Sequence, residues 1–313
     1  MLLTTANIAF AAGVCAAAII GAFVVPAAAD AALKAKKSEI EGAFKRQIER
    51  YEKSRSIGSD ATEAQRKQAK SAERWARDMA RMEDAGKVQP WQAAELARVG
   101  IIGHAREEKD YVRINDAKWS YPATARTRLY LAAALAALCA AMLYPLTQPG
   151  APSTWAALAG VLLMSGVLVI ACCDWRAMTI PYQLCALAAL PSIALALLTW
   201  GPSGFPTAAG WAVGITAIVW LLAKILGWFG LKGAIGSGDL RLMPWLCLPC
   251  GLIGSFCGLA ACCAAMGAMG AGMWALRLVN RKSRLPMAPG LCVWLAVGYT
   301  TGQVMPGILG MGA

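Results

Sequence analysis

Apolar residues dominate this chain in runs of a common length. The runs cover 2–29, 129–146, 154–173, 180–200, 207–229, 240–257, 259–278 and 290–309. A helix needs about 20 mostly apolar residues to cross a bilayer, so the pattern predicts eight transmembrane helices. Between the first run and the second the pattern changes character. Ile40, Phe44, Ile48 and Tyr51 recur at spacings of four, four and three among charged residues, which is one stripe of an amphipathic helix. Ser59 with Glu63 reads as a helix start and Gly86 as a helix stop. Trp75, Met79 and Met82 between them form a second stripe, so the two helices are expected to face each other as an antiparallel hairpin. A third, short helix is expected from Pro90-Trp91 to Val99-Gly100. The fold class is therefore all-α: a polytopic membrane bundle with a first span at 1–29, a charged helical insert at 30–128 and a seven-span core at 129–313.

Composition agrees with the pattern. The chain is 58% hydrophobic with a mean hydropathy of +0.50, too apolar for a soluble domain of 313 residues. The net charge of +12 raises nucleic acid as a partner, but its distribution argues against that. The window 30–118 is nearly balanced, and the remaining basic residues sit at the ends of apolar runs, as orientation signals do. With the N-terminus outside, Arg126, Arg128, Arg176, Lys224, Lys232, Arg241, Arg277, Arg281, Lys282 and Arg284 all fall on the inner side. The outer loops near 147–153, 201–206 and 251–258 hold no Lys or Arg. The predicted location is the inner (plasma) membrane, with lipid as a partner and 30–128 in the cytoplasm. Ala27-Ala28-Ala29 resembles a signal cleavage site. No Lys or Arg precedes the first run, however, and Lys34, Lys36 and Lys37 follow it, which favours a retained span.

The eleven cysteines all lie in or beside apolar runs. Cys247-Leu-Pro-Cys250 has metal spacing but no second pair or histidine with it, so buried thiols are the better reading. His104, the one histidine, sits among Arg106, Glu107 and Glu108 and reads as a surface residue.

The acidic residues carry the sharper signal. Of 18 in the chain, all but Asp174 and Asp239 lie between Asp30 and Asp116. The predicted topology places those two at span ends on the cytoplasmic face. Ionisable groups at the edge of a membrane bundle are costly and point to function. Close carboxylates hold one proton between them; the ionised one can activate water while the protonated one polarises a carbonyl, which hydrolyses a peptide without a covalent intermediate. Gly236 and Gly238 allow close backbone approach beside Asp239. Ile180-Pro181 fixes the start of the next span after Asp174, and Pro286-Met-Ala-Pro289 gives the last span a rigid beginning.

These residues resemble the type IV prepilin peptidases, membrane aspartyl proteases of the Gly-x-Gly-Asp type. The aspartate followed by Ile-Pro corresponds to Asp174 through Ile180-Pro181. The Gly-x-Gly-Asp motif corresponds to Gly236-Ser-Gly238-Asp239-Leu240-Arg241-Leu242, and the Pro-x-x-Pro to Pro286 and Pro289. Tyr121-Pro122 is similar to the family's approach to the second span. The resemblance implies Asp174 and Asp239 as the catalytic pair, with Gly236, Gly238, Ile180, Pro181, Pro286 and Pro289 shaping the site. It also implies prepilin or pseudopilin precursors as substrates, cut on the cytoplasmic side after a glycine that ends a short basic leader. Many bacterial members carry paired Cys-x-x-Cys motifs in the insert, consistent with zinc. The insert here has no cysteine, so neither zinc nor any other cofactor is expected. The altered insert also removes support for the N-methylation that larger members perform. Two other readings use the same residues: a carrier working through the two aspartates, and a catalytically silent assembly scaffold whose working surface is the insert.

Overall fold

In the computed structural model, residues 5–56, 62–84, 90–103, 121–147, 154–228, 236–277 and 286–308 are described, with no strand among them. Ser59, Gly86, His104 and Lys232 lie outside these residues. The chain forms two compact units, one of residues 1–33 and 120–313 and one of residues 34–119.

The membrane unit begins with α1 (Thr5–Ile19), which passes through a π-helical segment, Ile20–Val24, into α2 (Val25–Arg55). The first span therefore does not stop at its charged end; the helix continues far into the polar sequence. The widened segment seats Gly21 against α5 (Ala125–Leu143), where a Cβ would come within 2.6 Å of the Leu131 carbonyl oxygen. Next come α6 (Thr154–Ala177), α7 (Tyr182–Trp228), α8 (Ser237–Ala275) and α9 (Ala288–Ile308). Among the described residues, five helices are long and apolar enough to cross a membrane. The chain is an all-helical, multi-pass membrane protein.

Two of those helices are too long for one crossing. At about 1.5 Å per residue, the 47 residues of α7 would extend roughly 70 Å, against a hydrocarbon core of roughly 30 Å. α7 breaks at Gly201 (φ 67°, ψ 171°), and α8 breaks at Gly251 (φ 65°, ψ −171°). Only glycine takes this backbone without strain. In α8 the break reverses the chain. The Ser255 hydroxyl donates to the Cys247 carbonyl at 3.3 Å, although eight residues of straight helix would separate them by about 12 Å. The second limb of α8 then runs antiparallel to α9 through small residues. A side chain at Gly254 would meet the Gly298 carbonyl, and one at Gly302 the Cys250 carbonyl. Lipid tails are as apolar as leucine, so helices in a membrane associate through such close packing and through hydrogen bonds. Hydroxyls supply the bonds: Ser192 to the Trp245 carbonyl at 2.6 Å, Thr300 to the Ala141 carbonyl at 2.6 Å, and Thr199 with Tyr299 at 3.2 Å.

The insert unit is built differently. The polar part of α2 and the helices α3 (Glu63–Asp84) and α4 (Pro90–Arg98) bury an ordinary water-driven core of Phe44, Ile48, Leu96 and Val99. Trp75 meets Phe44 edge-on at 5.7 Å between centroids, and Met79 joins them. The stripes read from the sequence do face each other, except that Met82 is exposed. Thr62 caps the start of α3. Thr62 Oγ1 accepts from the Gln65 N–H at 3.4 Å, and Gln65 Oε1 accepts from the Thr62 N–H at 2.8 Å, a reciprocal capping box.

Candidate active site

α6 ends one turn after Asp174. The Met178 N–H donates to the Asp174 carbonyl at 2.8 Å, and Met178 adopts a left-handed backbone (φ 48°), uncommon for a residue other than glycine. Such conformations cost energy and concentrate at functional sites. Four residues later α7 begins. Pro181 cannot donate a hydrogen bond, and its carbonyl accepts from the Leu184 N–H at 3.1 Å, so α7 starts directly after the Ile180-Pro181 junction.

Ile180 is where the first aspartate segment meets the second. A Cβ on Gly238 would lie 2.7 Å from Ile180 Cβ, so the glycine is what lets the two segments touch. Gly238 is in the first turn of α8, and Gly236 caps that helix in extended backbone (φ −69°, ψ 143°). Asp239 stands at the third helical position, where a capping-box acid faces the N-cap amide, and the Gly236 backbone lies against its carboxylate. A side chain at Gly236 would strike that carboxylate, at 2.6 Å from Oδ2.

The third segment closes on Asp174. The Ala288 amide, at the start of α9, donates to Asp174 Oδ2 at 3.0 Å, and the Met287 backbone adds a second contact. Pro286 is buried and Pro289 half-buried at this junction. An opening flanked by prolines thus aims otherwise unsatisfied N–H groups of a helix start at a carboxylate.

Both carboxylates are buried, Asp174 to 7% and Asp239 to 6% exposure, and Asp239 feels the charge of Asp174. Among the described residues neither makes an ion pair. Asp239 Oδ1 is buried with no hydrogen-bond partner. Buried polar atoms are nearly always satisfied, so an orphaned carboxylate oxygen needs a reason. All eight residues singled out from the sequence sit in this junction. Ile180 touches Gly238, Gly236 lies against Asp239, and Asp174 is held by Ala288 and linked to Asp239 by its charge; Pro181, Pro286 and Pro289 act through the backbone they shape.

Asp30 is a residue the charge census concealed. It was grouped with the insert, yet it belongs to the membrane unit and accepts from the Tyr121 amide at 3.0 Å. The Tyr121 side chain lies near the Cys172 thiol, two residues before Asp174, and burial pushes its hydroxyl well above its usual ionisation range. The thiol of Cys173 is within range of Asp174's charge, as those of Cys185 and Cys262 are of Asp239's. All eleven cysteines are free. Among the described residues no three His, Cys, Asp or Glu side chains are grouped to hold a metal.

An apolar groove of about 640 Å³ lies along α6 and α7, bounded by Val24, Ala28, Val169, Leu184 and Leu187. Its one hydroxyl, Ser165, is already bonded to the Val161 carbonyl at 2.6 Å, and Gly166 faces open space. Val169 and Leu184 bring the groove to within about two helical turns of Asp174 and Pro181.

Comparison with protein-family models, with curated proteins and with solved structures returns no match for this chain.

Proposed function

We propose that the chain is a membrane aspartic endopeptidase of the prepilin-peptidase type. It removes short basic leaders from pilin-like precursors by cutting after the leader's glycine. The observation that carries the reading is the meeting of three distant segments around two buried carboxylates: Ile180 on Gly238, the Ala288 amide on Asp174, and Asp239 within reach of Asp174's charge. One carboxylate, ionised, takes a proton from water. The water oxygen attacks the scissile carbonyl carbon while the other carboxylate, protonated, hydrogen-bonds the carbonyl oxygen. The proton taken from water passes to the amide nitrogen, the C–N bond breaks, and the acid and amine products form without a covalent intermediate. The pair titrates jointly, so the two roles belong to the pair. The unpartnered oxygen of Asp239 is a place for water or the carbonyl to bind.

The groove beside the site suits the apolar stem that follows the cut, since it asks for no hydrogen bonds from its occupant. On this reading the chain crosses eight times, with α7 and α8 each contributing two crossings around Gly201 and Gly251 and α9 the last. The N-terminus is outside, and both aspartates lie at the cytoplasmic face of the inner membrane. A carrier would need its helix breaks at the carboxylates. Gly251 is twelve residues from Asp239, about 18 Å along the helix, so the aspartates and the break serve different ends of the bundle.

The test is to reconstitute the purified chain with a single-span precursor carrying a basic leader, a junctional glycine and an apolar stem, and to read the products by mass spectrometry. Cleavage after the glycine supports the reading. An intact precursor, or a cut within the stem only, overturns it.

A further inference from the structure

The insert carries a feature that the peptidase reading does not use. Lys67, Lys70, Arg74, Arg77 and Arg81 recur along α3 at spacings of three, four, three and four. At about 100° per residue they fall within one narrow sector of the helix, and from first to last they extend about 21 Å. All five are exposed. The opposite side of α3 holds the buried Ala72 and Ala76 with Trp75 and Met79, so the ridge faces away from its own core.

The ridge is also left unneutralised. Elsewhere in the unit cations find acceptors: Lys36 on Glu39 at 2.9 Å, Arg98 on Glu95 at 2.7 Å and Arg55 on the Val99 carbonyl at 3.3 Å. Lys67 pairs with Glu63 at 3.1 Å. Among the described residues, Lys70, Arg74, Arg77 and Arg81 form no ion pair. Glu73 and Asp78 stand at the two edges of the sector, and Asp78 shares a shallow cleft with Arg74, Arg77 and Arg81. They bound the ridge without crossing it.

We infer that the α3 ridge is a docking surface for anionic phospholipid headgroups. Charge complementarity is the first argument: a cluster of four to eight Lys and Arg on an amphipathic helix is what anionic leaflets attract. Connectivity is the second. The chain leaves the membrane unit at Leu33 and rejoins it at Ser120, so the ridge is tethered at both ends to a membrane protein. A weak attraction per cation then acts at high effective concentration. The ridge has no enclosed pocket and no aromatic side chain in its sector, which suits a carpet of phosphates rather than one stacked base. The inference does not depend on the aspartate chemistry.

The experiment places a photoreactive benzoylphenylalanine at Asp78, on the edge of the ridge, in the full chain held in lipid nanodiscs. The discs are phosphatidylcholine alone, or phosphatidylcholine with a third replaced by phosphatidylglycerol. Phospholipid adducts at position 78 are expected to be several-fold more abundant in the anionic discs. They should fall to the neutral level at high salt, because the attraction is screened within about 10 Å. They should fall equally when Lys70, Arg74, Arg77 and Arg81 are all changed to Gln, which keeps helix propensity, but not when Lys45 and Arg46 are. Equal labelling in both kinds of disc overturns the inference. So do adducts that persist in the four-Gln variant, and so does loss of lipid adducts to an added oligonucleotide, which would make nucleic acid the ridge's partner. No readout uses peptidase activity, so failure here leaves the proposed cleavage untouched.

Discussion

The membrane unit and the insert hold helices together by opposite means. In the membrane unit the closest contacts are made where side chains are missing: Gly254 against the Gly298 carbonyl, Gly302 against the Cys250 carbonyl and Gly238 against Ile180. Hydroxyls then bond carbonyls across helices. In the insert the contacts are made by large side chains, Phe44, Ile48, Trp75 and Leu96, with ion pairs around them. Water accounts for the difference. It drives apolar side chains together in the insert, whereas lipid offers an apolar side chain as good a home as a neighbouring helix. The two units should therefore fail under opposite substitutions, added bulk in one and lost bulk in the other.

The largest effect is expected from Gly254→Leu. The new side chain meets backbone at Gly298 and Gly302, which cannot rotate away, so overpacking should cost about 3 kcal/mol or more. Thermal unfolding in detergent should show it, and a normal melting temperature would break the comparison. Next is Trp75→Ala, which removes the partner of Phe44. A loss of about 3 kcal/mol is expected in the insert alone, read as faster protease nicking between α2 and α4 with unchanged melting of the membrane unit. Ala288→Pro tests the site itself. It deletes the amide that donates to Asp174, at a helix start where proline is well tolerated. A hydrogen bond to a charged group is worth about 1.5–3 kcal/mol, so cleavage should slow roughly ten- to hundred-fold while membrane insertion is unchanged. Thr62→Ala is the mildest. It removes the hydroxyl half of the α3 cap and should cost the insert about 1 kcal/mol, seen as increased amide exchange in the first turn of α3.

Much of the site was legible because its residues are rare where they stand. Asp174 and Asp239 are conspicuous in an acid-free stretch, and the flanking glycines and prolines narrow the chemistry around them. Asp30 was not legible. A census by segment assigns it to its charged neighbours, whereas the helix running unbroken through it carries it into the membrane unit. The π-helical turn at Ile20–Val24 has no signature in a run that is apolar on every face. Nor does the left-handed Met178, since methionine has no preference for that backbone and the surroundings impose it. The turn near 251–258 could be read from its glycines, and it falls at Gly251. The described start of α3 is capped by Thr62 with Gln65, a pair that the reading of Ser59 with Glu63 passes over.

The central claim is that two aspartates from distant segments act as one peptidase site. The direct measurement is the rate of leader removal from a purified precursor by Asp174→Asn and by Asp239→Asn, each compared with the unaltered chain in the same lipid. Asparagine keeps the shape but cannot exchange the proton, so each variant should lose cleavage entirely while inserting and melting normally. If either one alone still processes the precursor at close to the unaltered rate, the paired site is wrong.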